Sequence, residues 1–500
     1  MRSVRSSHLP FTKRVPPSND YQQSVVDLGP SNPVQAAIMA QDIDGVKNNA
    51  NGGDLAGGNT LIPGDSWSAQ NPQDNQYNEN KNVFYYPNAA ATPGNAEADG
   101  WVALPQLGGF DLKRDVIRDN ASMPFYITSN YDPAAIKKAV VIFPGKNRDS
   151  WKYTNLVRNA FEVALTNHPE LGLTNGTVLT IGPAVLNHFD IQFGAALTGD
   201  ITWHGTQWQG GEGSKTPELD HRISLYEVLD YFNDWLFNTT NFPNLNSVTI
   251  AGHSMGGQAV QRYAVLKKQK SYDNNIHYYV GNPGSYAWLE ESRPVQNASC
   301  TEHDTWKYGI GGNVTKVPRY ARKDVETNKT EIISRYFKRK VHYGLALLDN
   351  GPGDTHCEAV MQGGNHLDRG SNFVQMLGSM AGGFPSITQT VDFIANVSHQ
   401  DYAMLSSNQT LIRLFKEGYD QRLPDIVATN PGDKPKNTPA ASPPPRKFAT
   451  HSNKLLSYVL LGGSVGLIIL VFTLLPFLFP ANSDPWEQER WEQDAKRQLL

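Results

Sequence analysis

The stretch Gly252-His253-Ser254-Met255-Gly256-Gly257 is the feature that most restricts what this chain can fold into. The run before it, 247–251, is rich in β-branched residues and predicts a buried strand. The run after it, 258–268, ends in two lysines and predicts a helix. Because glycines flank the central tripeptide, the chain can pass from strand to helix in one tight turn. The pattern therefore predicts a turn that presents the Ser254 hydroxyl as a nucleophile.

A second loop near this serine is predicted from an apolar strand at 139–143, which is followed by Pro144-Gly145-Lys146-Asn147. In a serine enzyme with such a turn, the loop after this strand supplies one of two N–H groups that bind an oxyanion. We therefore predict that the backbone N–H groups of Lys146 and Met255 form the oxyanion hole. The alternative is that Pro144-Gly145 is an ordinary turn at a strand end.

A serine nucleophile needs a general base and an acid that orients it, and both are expected after later strands. The run 340–348 predicts a strand, and Asp349 follows it directly, so Asp349 is the predicted acid. Asp354 lies in the same glycine-containing loop and is the alternative acid. The run 390–395 predicts the last strand, and His399 in the loop after it is the predicted base. His366 follows Asp349 too closely for a helix and a strand to intervene, so it is not the predicted base.

These segments resemble the α/β-hydrolase superfamily from about Val83 to Leu423. The segment 252–258, together with Arg262-Tyr263-Ala264, resembles a group of fungal membrane-anchored or secreted hydrolases of unassigned substrate. The resemblance implies an α/β fold with a mainly parallel central sheet and helices on both faces. It also implies a Ser254, His399, Asp349 triad acting on a small-molecule or lipid acyl substrate, with no cofactor and no metal.

The segments outside this domain differ from it in composition. Residues 1–82 are rich in Asn, Gly, Gln and Pro, and we predict that they are disordered or loosely ordered. We predict a hydrolase domain at 83–423, a Pro-rich linker at 424–454 and a short polar tail at 480–500. The net charge of −4 and the lack of a basic stripe argue against a nucleic-acid partner. No oligomeric state is indicated.

The segment Leu455–Phe479 predicts one transmembrane helix, because it carries no charged residue. As a helix it would be about 37 Å long at 1.5 Å per residue, enough to cross a hydrocarbon core of about 30 Å. No signal peptide is visible, which favours a tail-anchored protein with a cytosolic domain. We nevertheless expect a lumenal or extracellular domain.

Two observations support that orientation. Cys300 and Cys357 are compatible with one disulfide, although two free thiols remain the alternative. The chain also contains eight Asn-x-Ser/Thr sequons as candidate N-glycosylation sites. Their asparagines are Asn120, Asn175, Asn238, Asn297, Asn313, Asn328, Asn396 and Asn408.

Two classes of function remain open from the sequence. The first is a membrane-anchored serine hydrolase that cleaves a carboxylic ester or a related acyl bond through an acyl-enzyme. The second is a binding or adhesion protein that keeps the hydrolase fold without its activity. The chain retains candidates for both the nucleophile and the base, so the sequence favours the interpretation that it is an enzyme. The region 203–213 is expected to be either a cap over the site or a plain surface loop.

Overall fold

The computed structural model describes residues 19–43 and 100–421. The predicted linker at 424–454, the predicted transmembrane helix at Leu455–Phe479 and the predicted tail at 480–500 lie outside the described residues. Within the two described ranges, no helix is both long enough and apolar enough to cross a membrane.

An eight-stranded sheet forms the centre of the domain. Its strands are β1 (Phe110–Arg118), β2 (Ala121–Thr128), β3 (Lys138–Phe143), β4 (Val178–Pro183), β7 (Ser247–His253), β8 (Ile276–Gly281), β9 (Lys340–Ala346) and β10 (Gln389–Ile394), while β5 (Leu186–Asn187) and β6 (Thr202–Trp203) form a separate parallel pair. The spatial order in the sheet is β1-β2-β4-β3-β7-β8-β9-β10, in which β2 runs antiparallel to β1 and β4 and all other neighbours are parallel. The prediction of a mainly parallel sheet is thus confirmed.

Helices cover both faces of the sheet. Along β3, alternate side chains enter different hydrophobic cores: Val141 belongs to one core, and Val140 and Ile142 belong to the other. The helices are α1 (Asn19–Leu28), α2 (Pro33–Ala40), α3 (Ser150–Asn167), α4 (Phe189–Phe193), α5 (Leu225–Leu236), α6 (Met255–Leu266), α7 (Arg322–Phe337), α8 (Cys357–Val360), α9 (His366–Ser379), α10 (Asp401–Leu405) and α11 (Asn408–Leu411), which continues into a π-helical turn at Ile412–Lys416.

Helix α3 covers one face, where Leu156, Val157 and Ala160 pack in the smaller core. Helices α5, α6 and α9 contribute to the larger core on the other face. Helix α5 begins directly after Ser224, which forms a capping box with Glu227 at its first turn. Helix α6 begins at Met255, three residues before the predicted start, since glycines 256 and 257 let its first turn lie directly against the ends of β3 and β8.

The N-terminal prediction is wrong for residues 19–43. Helices α1 and α2 pack on the domain, and Val25, Ala36 and Ala37 are completely buried. Gln22 hydrogen-bonds through its side chain to Asn396, in the loop after β10. The local signal was present in the sequence, because Asn32 caps α2 and Pro33 occupies its first turn. The prediction of disorder rested on the polar composition of the whole segment 1–82, which outweighed this local helix signal.

Candidate active site

Ser254 lies at the turn between β7 and α6, with φ 59° and ψ −122°. This strained backbone is tolerated because the positions two residues to either side, 252 and 256, are glycines. A Cβ on Gly252 would lie 2.2 Å from the carbonyl carbon of Gly256, and one on Gly256 would lie 2.5 Å from the carbonyl oxygen of Phe143. The turn therefore requires glycine at both positions and raises the Ser254 side chain above the end of the sheet.

His399 and Asp349 meet at the carboxyl ends of β9 and β10. His399 Nδ1 lies 2.6 Å from Asp349 Oδ2, where it donates a hydrogen bond to the carboxylate. Asp349 is fully buried. Burial lowers the pKa of His399, but the charge of Asp349 and its hydrogen bond outweigh burial and raise that pKa. With Nδ1–H held by the carboxylate, the free Nε2 of a neutral His399 can accept a proton.

A second histidine reaches the same carboxylate. His366 Nδ1 lies 3.2 Å from Asp349 Oδ1 and 3.1 Å from the carbonyl oxygen of Gly351. Burial raises the pKa of Asp349, but His366 and His399 together outweigh it and hold that pKa well below its usual range. This contact was not predicted from the sequence, because the order of residues along the chain excludes His366 as the base but gives no information on its distance from the acid.

This trio is also the part of the site that could hold a metal ion. Asp349, His366 and His399 each offer a ligand atom, and these atoms lie within 4.8 Å of one another. The Nδ1 atoms of both histidines face the carboxylate, however, which is the arrangement of an acid that orients a base.

The alternative acid, Asp354, makes a different set of contacts. It accepts hydrogen bonds from Ser285 Oγ at 3.1 Å and from the Tyr308 hydroxyl at 3.0 Å, and it pairs with His356. Burial raises its pKa, and the hydrogen bond and charge of His356 outweigh burial and lower it. The structure thus brings Asp349, and not Asp354, to His399.

The loop after β3 is anchored beside Ser254. A Cβ on Gly145 would lie 3.7 Å from the Cβ of Ser254. The next residues are fixed by a buried ion pair between Arg148 and Asp190 and by a 3.1 Å hydrogen bond from the Trp101 indole to the carbonyl oxygen of Asn147. Lys146 and Met255, whose N–H groups are the predicted oxyanion donors, both line the cavity above the serine.

That cavity has a volume of about 580 Å³ and contains Ser254, His399 and His366 in its wall. Among the described residues, no hydrogen bond joins Ser254 Oγ to His399. Hydrogen bonds of this kind often tighten only when a substrate binds. In the region 203–213, Trp203 and Trp208 are completely buried, while Gln209 lines the cavity. This region therefore forms part of the cavity wall.

The two cysteines and the eight sequon asparagines that were singled out from the sequence do not line the cavity. Cys300 and Cys357 are joined by a disulfide. It ties helix α8, which follows the Asp354 loop, to the segment after β8. The asparagines of all eight sequons are exposed.

Comparison with known proteins finds similarity at the level of structure only. The sequence matches no family model and none of the curated proteins. A poly(3-hydroxybutyrate) depolymerase, LpqC, from Bordetella parapertussis aligns with 64% of this chain and 93% of its own, at 15% identity and a TM-score of 0.42. Poly(aspartic acid) hydrolase-1 from Sphingomonas sp. KT-1 aligns with 60% of this chain and 96% of its own, at 13% identity and a TM-score of 0.39.

A siderophore hydrolase from Aspergillus nidulans aligns with 64% of this chain and 98% of its own, at 10% identity and a TM-score of 0.34. The order of the eight strands, the antiparallel start of the sheet and the glycine-flanked serine turn between β7 and α6 are features of the chain itself. By these features, the chain has the α/β-hydrolase fold.

Proposed function

We propose that this protein is a serine hydrolase that cleaves a carboxylic ester through an acyl-enzyme. The observation that carries the proposal is the shared cavity of Ser254, on its strained turn, and His399, which hydrogen-bonds to the buried Asp349. A nucleophile, a base and an orienting acid on three different strand ends are the parts that acyl transfer requires.

In the proposed reaction, His399 Nε2 removes the proton from Ser254 Oγ as that oxygen attacks the ester carbonyl carbon. The backbone N–H groups of Lys146 and Met255 bind the oxyanion that forms. The alcohol leaves with the proton carried by His399, and the acyl group remains on Ser254. A water molecule then loses a proton to His399 and attacks the acyl carbon, which releases the carboxylic acid and restores the serine hydroxyl.

Ester hydrolysis by the full chain tests this proposal. Purified protein should hydrolyse a short 4-nitrophenyl ester, and Ser254→Ala should lower kcat by about 10⁴-fold or more. Ser292→Ala, at an exposed serine outside the cavity, is the matched control and should retain full activity. If wild-type protein is inactive on every ester offered, the alternative of a binding or adhesion protein on the hydrolase fold becomes the better account.

We further propose that the domain lies on the lumenal or extracellular side of a membrane, anchored through Leu455–Phe479. The disulfide between Cys300 and Cys357 supports this side, because disulfides persist in oxidising compartments. Exposure of all eight sequon asparagines is also consistent with glycosylation there. Glycosidase treatment of the protein from its native cells should increase its electrophoretic mobility. Unchanged mobility, together with protease sensitivity of the domain in sealed microsomes, would favour the tail-anchored, cytosolic orientation.

A further inference from the structure

Most of the side chains that line the cavity at Ser254 are polar or charged. Among the described residues that line it, none is Leu, Ile, Val or Phe, and Met255 and Pro352 are the only lining residues with purely apolar side chains. A long acyl chain needs an apolar tunnel, because its binding free energy comes from removing methylene groups from water. The cavity is therefore suited to a short substrate with polar groups.

Lys307 is a cation in this wall without a carboxylate partner. No carboxylate oxygen of the described residues lies within 4 Å of its ammonium group, and the nearest ring, that of Tyr308, is 5.5 Å away at its centroid. Lys152, by contrast, lies 2.6 Å from Asp401 and 3.7 Å from Asp149. Lys152 thus forms direct ion pairs within the protein, whereas Lys307 forms none with the described residues.

The position of Lys307 is fixed relative to the nucleophile through helix α6. Arg262 Nε donates a 3.1 Å hydrogen bond to the carbonyl oxygen of Lys307, and Arg262 Nη1 donates a 2.9 Å hydrogen bond to Gln258 Oε1. Gln258 lies about one helical turn from Ser254 and Arg262 about two, or roughly 11 Å along the helix. Lys307 and Gln258 line the same cavity as Ser254.

Arg262 and the carboxylates of Asp354, Glu212 and Glu358 all lie close enough to act on the charge of Lys307. Arg262 and Arg369 are buried, and their hydrogen bonds go to neutral oxygens rather than to carboxylates. Asp354 already pairs with His356. Burial raises the pKa of Glu212 and outweighs the opposing charge of Lys307. Burial, followed by the charge of Arg262, lowers the pKa of Lys307 and outweighs the three carboxylates, so a bound anion would stabilise the charged ammonium.

We propose that Lys307 binds a carboxylate group of the substrate, so that the preferred substrates are short esters carrying a free carboxylate near the bond that is cleaved. This rests on the proposed esterase function and specifies its substrate class. An ammonium–carboxylate contact in a partly desolvated cleft is a charge-assisted hydrogen bond. Relative to a neutral substrate of equal size, it should raise kcat/KM by about tenfold to a hundredfold.

Two pairs of substrates test the proposal, since the carboxylate can be carried on either side of the ester. The acyl-side pair is mono-4-nitrophenyl succinate and the 4-nitrophenyl ester of succinamic acid. The alcohol-side pair is O-acetyl-3-hydroxybutyrate and its primary amide. The measured quantity is the ratio of kcat/KM for the carboxylate to that for the amide. We expect a ratio of at least about ten for one pair with wild-type protein.

Lys307→Met should bring this ratio to about one, and Lys307→Arg should keep most of it because the positive charge remains. Lys316→Met is the matched control, since Lys316 is exposed and outside the cavity, and it should leave the ratio unchanged. A wild-type ratio near one for both pairs would overturn the proposal, as would a preference that survives Lys307→Met.

A binding measurement separates this proposal from the proposed esterase function. In Ser254→Ala, calorimetric titration with the preferred carboxylate substrate should show binding at least about tenfold tighter than with its amide. Adding Lys307→Met to that variant should remove the difference. Equal affinity for the two compounds in Ser254→Ala would contradict the role of Lys307, even if the protein is an active esterase.

Discussion

The imidazole of His366 lies 3.2 Å from Oδ1 of Asp349, while His399 contacts Oδ2 of the same carboxylate and the centroids of the two imidazole rings lie 4.3 Å apart. His366 is the first residue of α9, and His399 lies in the loop after β10. Two elements that are distant in the chain therefore converge on one buried acid. The Nδ1 of the first histidine lies within ion-pair distance of the carboxylate and hydrogen-bonds to the carbonyl oxygen of Gly351, and the second histidine is the proposed base.

His366→Ala should reduce kcat/KM for a neutral ester by about tenfold, because the Asp349 carboxylate loses one of the two imidazoles that lie beside it. The pH profile separates this from simple misfolding. Without His366, Asp349 is a stronger partner for protonated His399, so the inflection in kcat/KM should move to higher pH. His399→Ala should abolish activity to the extent that Ser254→Ala does. A greater loss for His366→Ala than for His399→Ala would reverse the proposed roles.

Asp349→Asn should reduce kcat by about 10⁴-fold, because an amide at this position stabilises neither the required tautomer nor the imidazolium. Asp354→Asn should be far less damaging to hydrolysis of a neutral ester, since Asp354 pairs with His356 instead. Thermal unfolding of both variants provides the control for folding. If the two losses are ranked the other way, Asp349 is not the orienting acid.

The pH dependence of kcat/KM follows from the pKa of His399. Only neutral His399 can accept the Ser254 proton, so kcat/KM should rise with pH as His399 loses its proton. Because Asp349 raises the pKa of His399, the midpoint of the rise should lie above the ordinary histidine value of about 6.5. A steady-state profile from pH 5 to about 9 measures it. A midpoint well below the ordinary value would contradict this electrostatic account.

The packing of the N-terminal helices predicts a difference between two positions of α2. Ala37 is completely buried and Gln35 is exposed. Ala37→Arg should lower the free energy of unfolding by about 3 kcal/mol, because it buries a charge without a partner. Gln35→Arg should have little effect. Urea unfolding curves of the two variants test this, and equal stabilities would show that α2 does not pack on the domain in solution.

The residues of the site that directly follow strands could be predicted from the order of the strands along the chain. Short apolar runs before Ser254 and Asp349 are strands in the structure, and the acid predicted at the end of the second strand reaches His399. The contacts of His366 and Lys307 were not predictable. Both depend on how loops from separate elements pack over the sheet, and no local pattern encodes that packing. The fold of α1 and α2 was missed for a different reason, because tertiary burial stabilises two short helices within a polar region.

The identity of the nucleophile is the central claim, and mass spectrometry of protein treated with a fluorophosphonate tests it most directly. A fluorophosphonate reacts with a serine hydroxyl only where a base and an oxyanion hole activate it. The intact mass should increase by a single adduct, and peptide mapping should place that adduct on Ser254. The adduct should be absent in Ser254→Ala and strongly reduced in His399→Ala. An adduct on any other residue, or one that forms equally in Ser254→Ala, would contradict the proposed mechanism.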